Sequence, residues 1–274
     1  MPEAPEVEAV TRTLRPLVRG IIIQRVHVRH AVAVHPQSAA SLKTNTANAH
    51  IAGVQRRGKY LLLMLDRGCL AMHFKFDGRI LWFDDPKAAL ARRTHVDIVF
   101  ETNKDALGFV DQRHLGRAHW LAKLEDSAGL RGLGVDCYSR EFTRERLLEM
   151  CRARPLPLKL LLMDQARVAG LGNIYAAESL WRARLSPLRR SDSLTDREGR
   201  ALHKAVVSVL GRALEWCLNP PPDFRNPAWW FADLDGMLRV YGREGQPCAR
   251  CRASICRIKQ GGRSTYFCAN CQTS

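Results

Sequence analysis

Four cysteines near the C-terminus, Cys248, Cys251, Cys268 and Cys271, form a C-x2-C-x16-C-x2-C array. Few patterns constrain a chain so tightly, because two closely spaced thiolate pairs are how a polypeptide presents a tetrahedral sulfur cage to zinc. The array predicts a zinc ribbon holding one structural Zn2+. Between the pairs, the strand-prone runs of residues 257–267 flank Gly261-Gly262, which predicts a β-hairpin with Arg263 at its tip. A metal-stiffened hairpin with a cationic tip suits a phosphate backbone. The alternatives are a purely structural knuckle or disulfide-paired thiols, and the first residues carry no secretory pattern that would favour the second. Cys69, Cys137, Cys151, Cys217 and Cys256 are scattered and odd in number. They are expected to be reduced, mostly buried thiols of a cytoplasmic protein, with Cys256 placed inside the ribbon as a competing ligand.

Charge points the same way. Lys and Arg number 43 against 27 Asp and Glu, a formal net charge of +16, so the expected partner is a polyanion bound with marked salt dependence. No apolar run approaches the roughly 20 residues that cross a bilayer, and no membrane partner is expected. A monomer is the default expectation.

The 274 residues change character near the middle. Short apolar runs at Ile21–Ile23, Tyr60–Leu65, Cys69–Phe74, Arg79–Phe83, His95–Phe100 and Leu107–Val110 predict strands, with hairpin turns at Asp66-Arg67-Gly68 and Asp77-Gly78. Ahead of them Val7, Val10, Leu14 and Leu17 recur at helical spacing behind Pro5, which predicts one helix packed on the sheet. From about Thr143 the pattern becomes helical. The expected fold is therefore α+β: a β-sandwich with a leading helix at 1–128, a helical domain at 140–235, a ribbon at 236–274, and a hinge within 129–138.

Two segments carry candidate chemistry. Residues 164–175 place Gly170, Gly172 and Asn173 between two helices, with Asn173 expected to cap the second. Such a turn offers backbone N–H groups and a helix dipole to an anion. At the other end, Met1 precedes the small residue Pro2, so its removal leaves a secondary amine beside Glu3. An amine of this kind forms an iminium with an aldehyde-level carbon, and a neighbouring carboxyl can move protons. By itself Met-Pro-Glu also starts many proteins without consequence.

The stretches Met1–Glu8, Arg57-Gly58-Lys59-Tyr60-Leu61, Gly170–Ala176 and Arg263–Cys268 together resemble the formamidopyrimidine-DNA glycosylases, relatives of the endonuclease VIII group. The resemblance runs from first residue to last. It implies a bifunctional base-excision enzyme, glycosylase and AP lyase, that acts on damaged double-stranded DNA and removes 8-oxoguanine and formamidopyrimidines. Pro2 then matches the nucleophile, Glu3 the acid, Lys59 a lysine contacting the damaged base or its flanking phosphate, and Glu6 a lesion-pocket residue. Asn173 and Arg263 match a phosphate clamp, with His73 close to it, and Arg113 matches the reader of the opposite base. On the same basis the helical domain is a helix–two-turn–helix module.

Where the family inserts methionine and phenylalanine into the gap left by the extruded base, this chain has Phe76 and Leu115. Either shape can unstack a base step, and a core position for Phe76 is the competing reading. Residues 219–231, rich in proline and carrying Trp229 and Trp230, replace a mobile loop of the family. Stacking on a flipped base and simple core packing both stay open for these rings. Oxidised pyrimidines as substrates, and damage binding without turnover, are the alternative functions.

Overall fold

The computed structural model describes residues 1–92 and 95–273. The first unit begins with helix α1 (Ala4–Val18), then strands β1 (Ile22–Ile23) and β2 (Arg25–Val28), helix α2 (Ala39–Thr46), and strands β3 (Ala49–Arg57), β4 (Tyr60–Leu65), β5 (Cys69–His73) and β6 (Arg79–Phe83). Helix α3 (Pro86–Ala91), strands β7 (Val96–Glu101), β8 (Ala106–Val110) and β9 (Arg117–Leu121), and helix α4 (Ala128–Arg131) complete it. The strands form two antiparallel sheets, ordered β1-β3-β4-β5-β9 and β2-β7-β8-β6.

The sandwich follows from side-chain alternation. Leu61, Leu63 and Leu65 of the first sheet and Ile80, Trp82, Ile98, Phe100, Leu107 and Phe109 of the second share one core. Leu81, Val96, Val99 and Val110 point the other way, into a smaller cluster with Ala89 of α3. Strands buried on both faces read as unbroken apolar runs, which is why they were legible in sequence.

The helix α1 adds Val7, Val10, Leu14 and Val18 to the main core. Leu17, expected on that stripe, is 37 % exposed. At 3.6 residues per turn the fourth position of the stripe falls at Val18. Asp66-Arg67-Gly68 does join paired strands, and a Cβ at Gly68 (φ +78°) would lie 2.4 Å from the Leu121 carbonyl oxygen. Asp77-Gly78 does not close a hairpin: β5 and β6 lie in different sheets, and the turn crosses between them.

The second unit contains strand β10 (Val135–Asp136), helices α5 (Arg144–Ala153) and α6 (Leu158–Met163), strand β11 (Val168–Ala169), helices α7 (Asn173–Ala183) and α8 (Asp196–Cys217), and the hairpin β12 (Cys256–Gln260) and β13 (Arg263–Phe267). Thr143 caps α5 by accepting the Arg146 amide at 3.1 Å. Ala177 and Trp181 of α7 pack against Val240, Cys248, Ile255 and Cys268, which seats the ribbon on that helix.

The units comprise residues 1–131 with 217–232, and residues 132–216 with 233 onward. The sequence pattern places 217–232 in the helical domain, whereas the structure packs this segment on the first unit. Phe224 is 3 % exposed in the sandwich core with Trp229 and Phe231 beside it, and its carbonyl accepts the Trp82 amide at 2.8 Å. Core packing thus accounts for Trp229. Trp230 is 43 % exposed, with the Arg79 guanidinium 4.8 Å from its ring centre.

Candidate active site and zinc centre

Glu3 is the N-cap of α1, and its amide donates to Glu6 Oε2 at 2.8 Å while its own carboxylate accepts the Glu6 amide. This reciprocal cap satisfies helix-end donors and sets both carboxylates at the positive end of the helix dipole. Glu3 and Glu6 are 1 % and 5 % exposed, whereas Met1 ahead of buried Pro2 is 41 % exposed. One turn along, Glu8 binds Arg56 at 2.9 Å, and Arg56 Nη1 donates to the Gly58 carbonyl at 2.7 Å. Arg15 reaches the Val54 carbonyl at 3.0 Å, so α1 runs along β3 with its N-terminal end toward the β3–β4 turn that carries Lys59.

Lys59 follows Gly58 (φ +57°) in that turn. It is buried, 7 % exposed, which is not how a solvated turn lysine sits. Across the turn, Tyr60 pairs with His73 of β5, their rings meeting edge to face at 4.7 Å. Burial, then the charges of Lys75 and Lys59, push the His73 imidazole down to about 3. The ring is neutral at physiological pH. Its Nδ1 accepts the Lys75 amide at 3.0 Å, which puts the proton on Nε2. His73, Tyr60, Lys75, Arg117 and His119 line a cavity of about 430 Å3.

Phe76 and Leu115 are 48 % and 40 % exposed. The core reading of Phe76 is therefore wrong: β5 ends at His73, and the crossing turn carries Phe76 out of the sheet. Arg113 lies over the Phe76 ring at 5.7 Å and forms an ion pair with Asp77. The structure brings exposed Phe76 and Arg113 together over buried Asp77, and Asp111 Oδ1 accepts the Arg113 amide at 3.0 Å.

In the second unit Gly172 is the N-cap of α7 and Asn173 the first helical residue, a shift of one from the expectation because the Gly172 backbone takes the extended cap geometry. Asn173 Nδ2 donates to the Ser264 carbonyl at 3.0 Å. Lys159, fully buried, donates to the same carbonyl at 3.1 Å and to Thr265 Oγ1 at 2.6 Å. Arg263, adjacent and exposed, opposes Gln260 across Gly261-Gly262, whose φ values are +55° and +76°, as a two-residue primed turn requires. Asn173 and Arg263 are thus one structural group.

The Sγ atoms of Cys248, Cys251, Cys268 and Cys271 lie within 4.8 Å of one another. Zn–S bonds of about 2.3 Å imply a tetrahedron edge of about 3.8 Å. The contacts Cys248–Cys271 at 4.0 Å and Cys251–Cys268 at 3.5 Å bracket it. Burial alone would raise the Cys248 thiol, but the Arg250 amide and the Trp181 indole, 3.5 and 3.4 Å from Sγ, bring it to about 6. Cys256 stands at the start of β12 with Sγ 3.9 Å from the Ser254 carbonyl, outside the cluster. The four cysteines form a structural zinc site.

Three family models tile the chain: the formamidopyrimidine-DNA glycosylase N-terminal domain over residues 1–118, the H2TH domain of the same enzymes over 133–217, and the zinc finger found in FPG and IleRS over 245–273. The chain belongs to the formamidopyrimidine-DNA glycosylase family. Formamidopyrimidine-DNA glycosylases of Pelotomaculum thermopropionicum and Cytobacillus firmus are 41 % and 37 % identical to it, across 99 % of this chain and 99 % and 100 % of theirs. The Lactococcus lactis FPG in complex with a Fapy-dG containing DNA superposes with a TM-score of 0.86 at 28 % identity, covering 99 % of this chain and 100 % of that one. The same Lactococcus enzyme bound to an abasic site containing DNA matches at 0.87, with the same identity and coverage.

Several side chains that organise this family member have little signature in the sequence. Lys159 lies within the apolar run LKLLLM, where a single charge on a buried face was the available signal. Glu178, 4 % exposed, accepts the amides of Arg239, Val240 and Tyr241 at 2.9–3.0 Å, fixing the chain that leads into the ribbon. The Glu8–Arg56 pair and Asp77 had no signal short of three-dimensional contact.

Proposed function

We propose that this chain is a base-excision repair DNA glycosylase and AP lyase that removes oxidised purines, 8-oxoguanine and formamidopyrimidines, through a covalent intermediate on Pro2. The observation that carries the reading is the head of α1: a buried Pro2-Glu3 pair, capped through Glu6 and braced by Glu8 and Arg56 toward the turn of Lys59. Once Met1 is removed, the Pro2 nitrogen attacks C1′ of the extruded nucleotide, and the bond to the base breaks. Glu3 supplies a proton to the sugar ring oxygen as it opens. In the resulting iminium the C2′ proton is acidic; its loss expels the 3′ phosphate, and a second elimination expels the 5′ phosphate. One intermediate thus serves both activities.

A nucleotide inside a duplex is closed to this attack, so extrusion needs a wedge and phosphate donors. Phe76, Leu115 and Arg113 are assigned to the wedge and the opposite base. Lys59, His73 Nε2–H, Asn173 and Arg263 are assigned to phosphates, and Glu6 to the lesion pocket. The domains are assigned as catalytic (1–128, with 217–232 packed on it), helix–two-turn–helix (140–216) and zinc finger (236–274). Among the described residues no helix is long and apolar enough to cross a membrane, and the protein is assigned to the cytoplasm, on the nucleoid through DNA, as a monomer.

Borohydride is expected to trap the mature protein on abasic DNA, and an extra residue ahead of Pro2 is expected to abolish trapping. Persistence with the blocked terminus removes Pro2 from the mechanism. The wild-type Lactococcus lactis enzyme also forms a complex with an oxidized pyrimidine containing DNA, so relative excision rates on a panel holding both lesion classes decide the substrate.

A further inference from the structure

Away from the assigned site, three side chains from distant parts of the first unit meet at one end of the second sheet, where β2 and β8 finish and β7 begins. His30, Asp97 and His114 each place a ligand-capable atom within 4.8 Å of the others. The last rungs of the β2–β7 ladder put two of them together: the Asp97 carbonyl accepts the amides of Arg29 at 2.8 Å and His30 at 3.4 Å. The segment after β8 delivers the third, with the His114 ring 4.3 Å from that of His30 and its Nδ1 2.5 Å from Asp97 Oδ1.

Asp97 is wholly buried, and among the described residues its Oδ2 has no hydrogen-bond partner. A buried carboxylate with an unsatisfied oxygen is costly and calls for a partner. Its neighbour Asp111, also wholly buried, is in a different state: Oδ1 accepts the Arg113 amide and Oδ2 the Gly116 amide. The two carboxylates concentrate negative charge locally in a chain of net charge +16, and of the two only Asp97 has an oxygen to spare. Both histidines are partly exposed, so the group opens to solvent.

We propose that His30, Asp97 and His114 form a second metal site, separate from the cysteine ribbon, for a divalent transition-metal ion of the zinc, cobalt and nickel class. Two imidazoles and one carboxylate select this class over magnesium or calcium, which prefer all-oxygen sites. Binding displaces the proton shared by His114 and Asp97, and solvent completes the coordination. The ion fastens the segment 111–116 to β7 and to the end of β2. Because that segment carries Arg113 and Leu115, occupancy stiffens the assigned wedge; this consequence rests on the proposed function, whereas the binding does not.

The test uses the full chain with zinc in its ribbon, equilibrated with Ni2+, dialysed, and analysed for both metals. One zinc and one nickel per chain are expected. The double variant His30→Ala/His114→Ala is expected to keep the zinc and lose the nickel, with His30→Gln/His114→Gln as the replacement if the first is misfolded. Co2+ in the same position should give d–d bands without thiolate-to-metal charge transfer, which distinguishes it from exchange into the ribbon. Absence of a second ion, charge-transfer bands, or nickel retained by the folded double variant overturns the proposal.

Discussion

His73 shows how one position converts surroundings into chemistry. Its ring ends a strand beside Lys59 and Lys75, and burial together with these charges lowers it to about 3 from an ordinary 6.5. A neutral Nε2–H can donate to a phosphate without the cost of desolvating a cation. The same shift is a stability term. Between pH 6.5 and about 3 the unfolded chain takes up a proton that the folded ring refuses, so the contribution is complete above 6.5 and is lost as pH falls through that window. The urea midpoint of the first unit should therefore drop on acidification, and His73→Gln should drop less. Parallel pH profiles for the two proteins would show that this ring is not the titrating group.

Among the elements, the ribbon hairpin has the most explicit anchoring. Lys159 and Asn173 converge on the Ser264 carbonyl, one residue from the exposed Arg263. Each such buried hydrogen bond is worth about 1 kcal/mol, and an acceptor left without its donor costs about 1–3 kcal/mol. Gly261 adds a steric lock, since a Cβ there would lie 2.7 Å from Leu160 of α6. Lys159→Met should keep the zinc stoichiometry and lower the stability of the second unit by about 2 kcal/mol in urea denaturation. It should also weaken binding to lesion-containing duplex, because the hairpin loses its fixed position on α7. Unchanged stability would mean that hydrophobic packing alone seats the ribbon.

For the whole molecule the governing quantity is a net charge of +16, and DNA affinity should fall steeply with salt as phosphate contacts release counterions. If Arg263 contacts one phosphate, Arg263→Ala should weaken binding on all sequences alike and reduce the slope of log K against log salt by about 0.9. Fluorescence-anisotropy titrations across a salt series measure it, and an unaltered slope takes Arg263 out of the interface. The proline-rich segment 217–232 also matters at this scale. It follows α8 in sequence yet packs on the sandwich, so the chain returns to its first unit before making the ribbon.

What the sequence alone determined is what local patterns encode. Cysteine spacing specified the metal site, the Gly-Gly pair its hairpin, unbroken apolar runs the doubly buried strands, and the Pro2-Glu3 start the candidate nucleophile. Pairing between distant segments was out of reach, because alternation and helical periodicity report which face is buried and not what covers it. Only tertiary structure decided that Asp77-Gly78 crosses between sheets and that Phe76 is exposed while Trp229 is packed. It likewise decided that Lys159 holds the hairpin and that His30, Asp97 and His114 meet. Each of those outcomes depends on contacts between residues far apart in the chain, whose energies exist only once the backbone has brought them together.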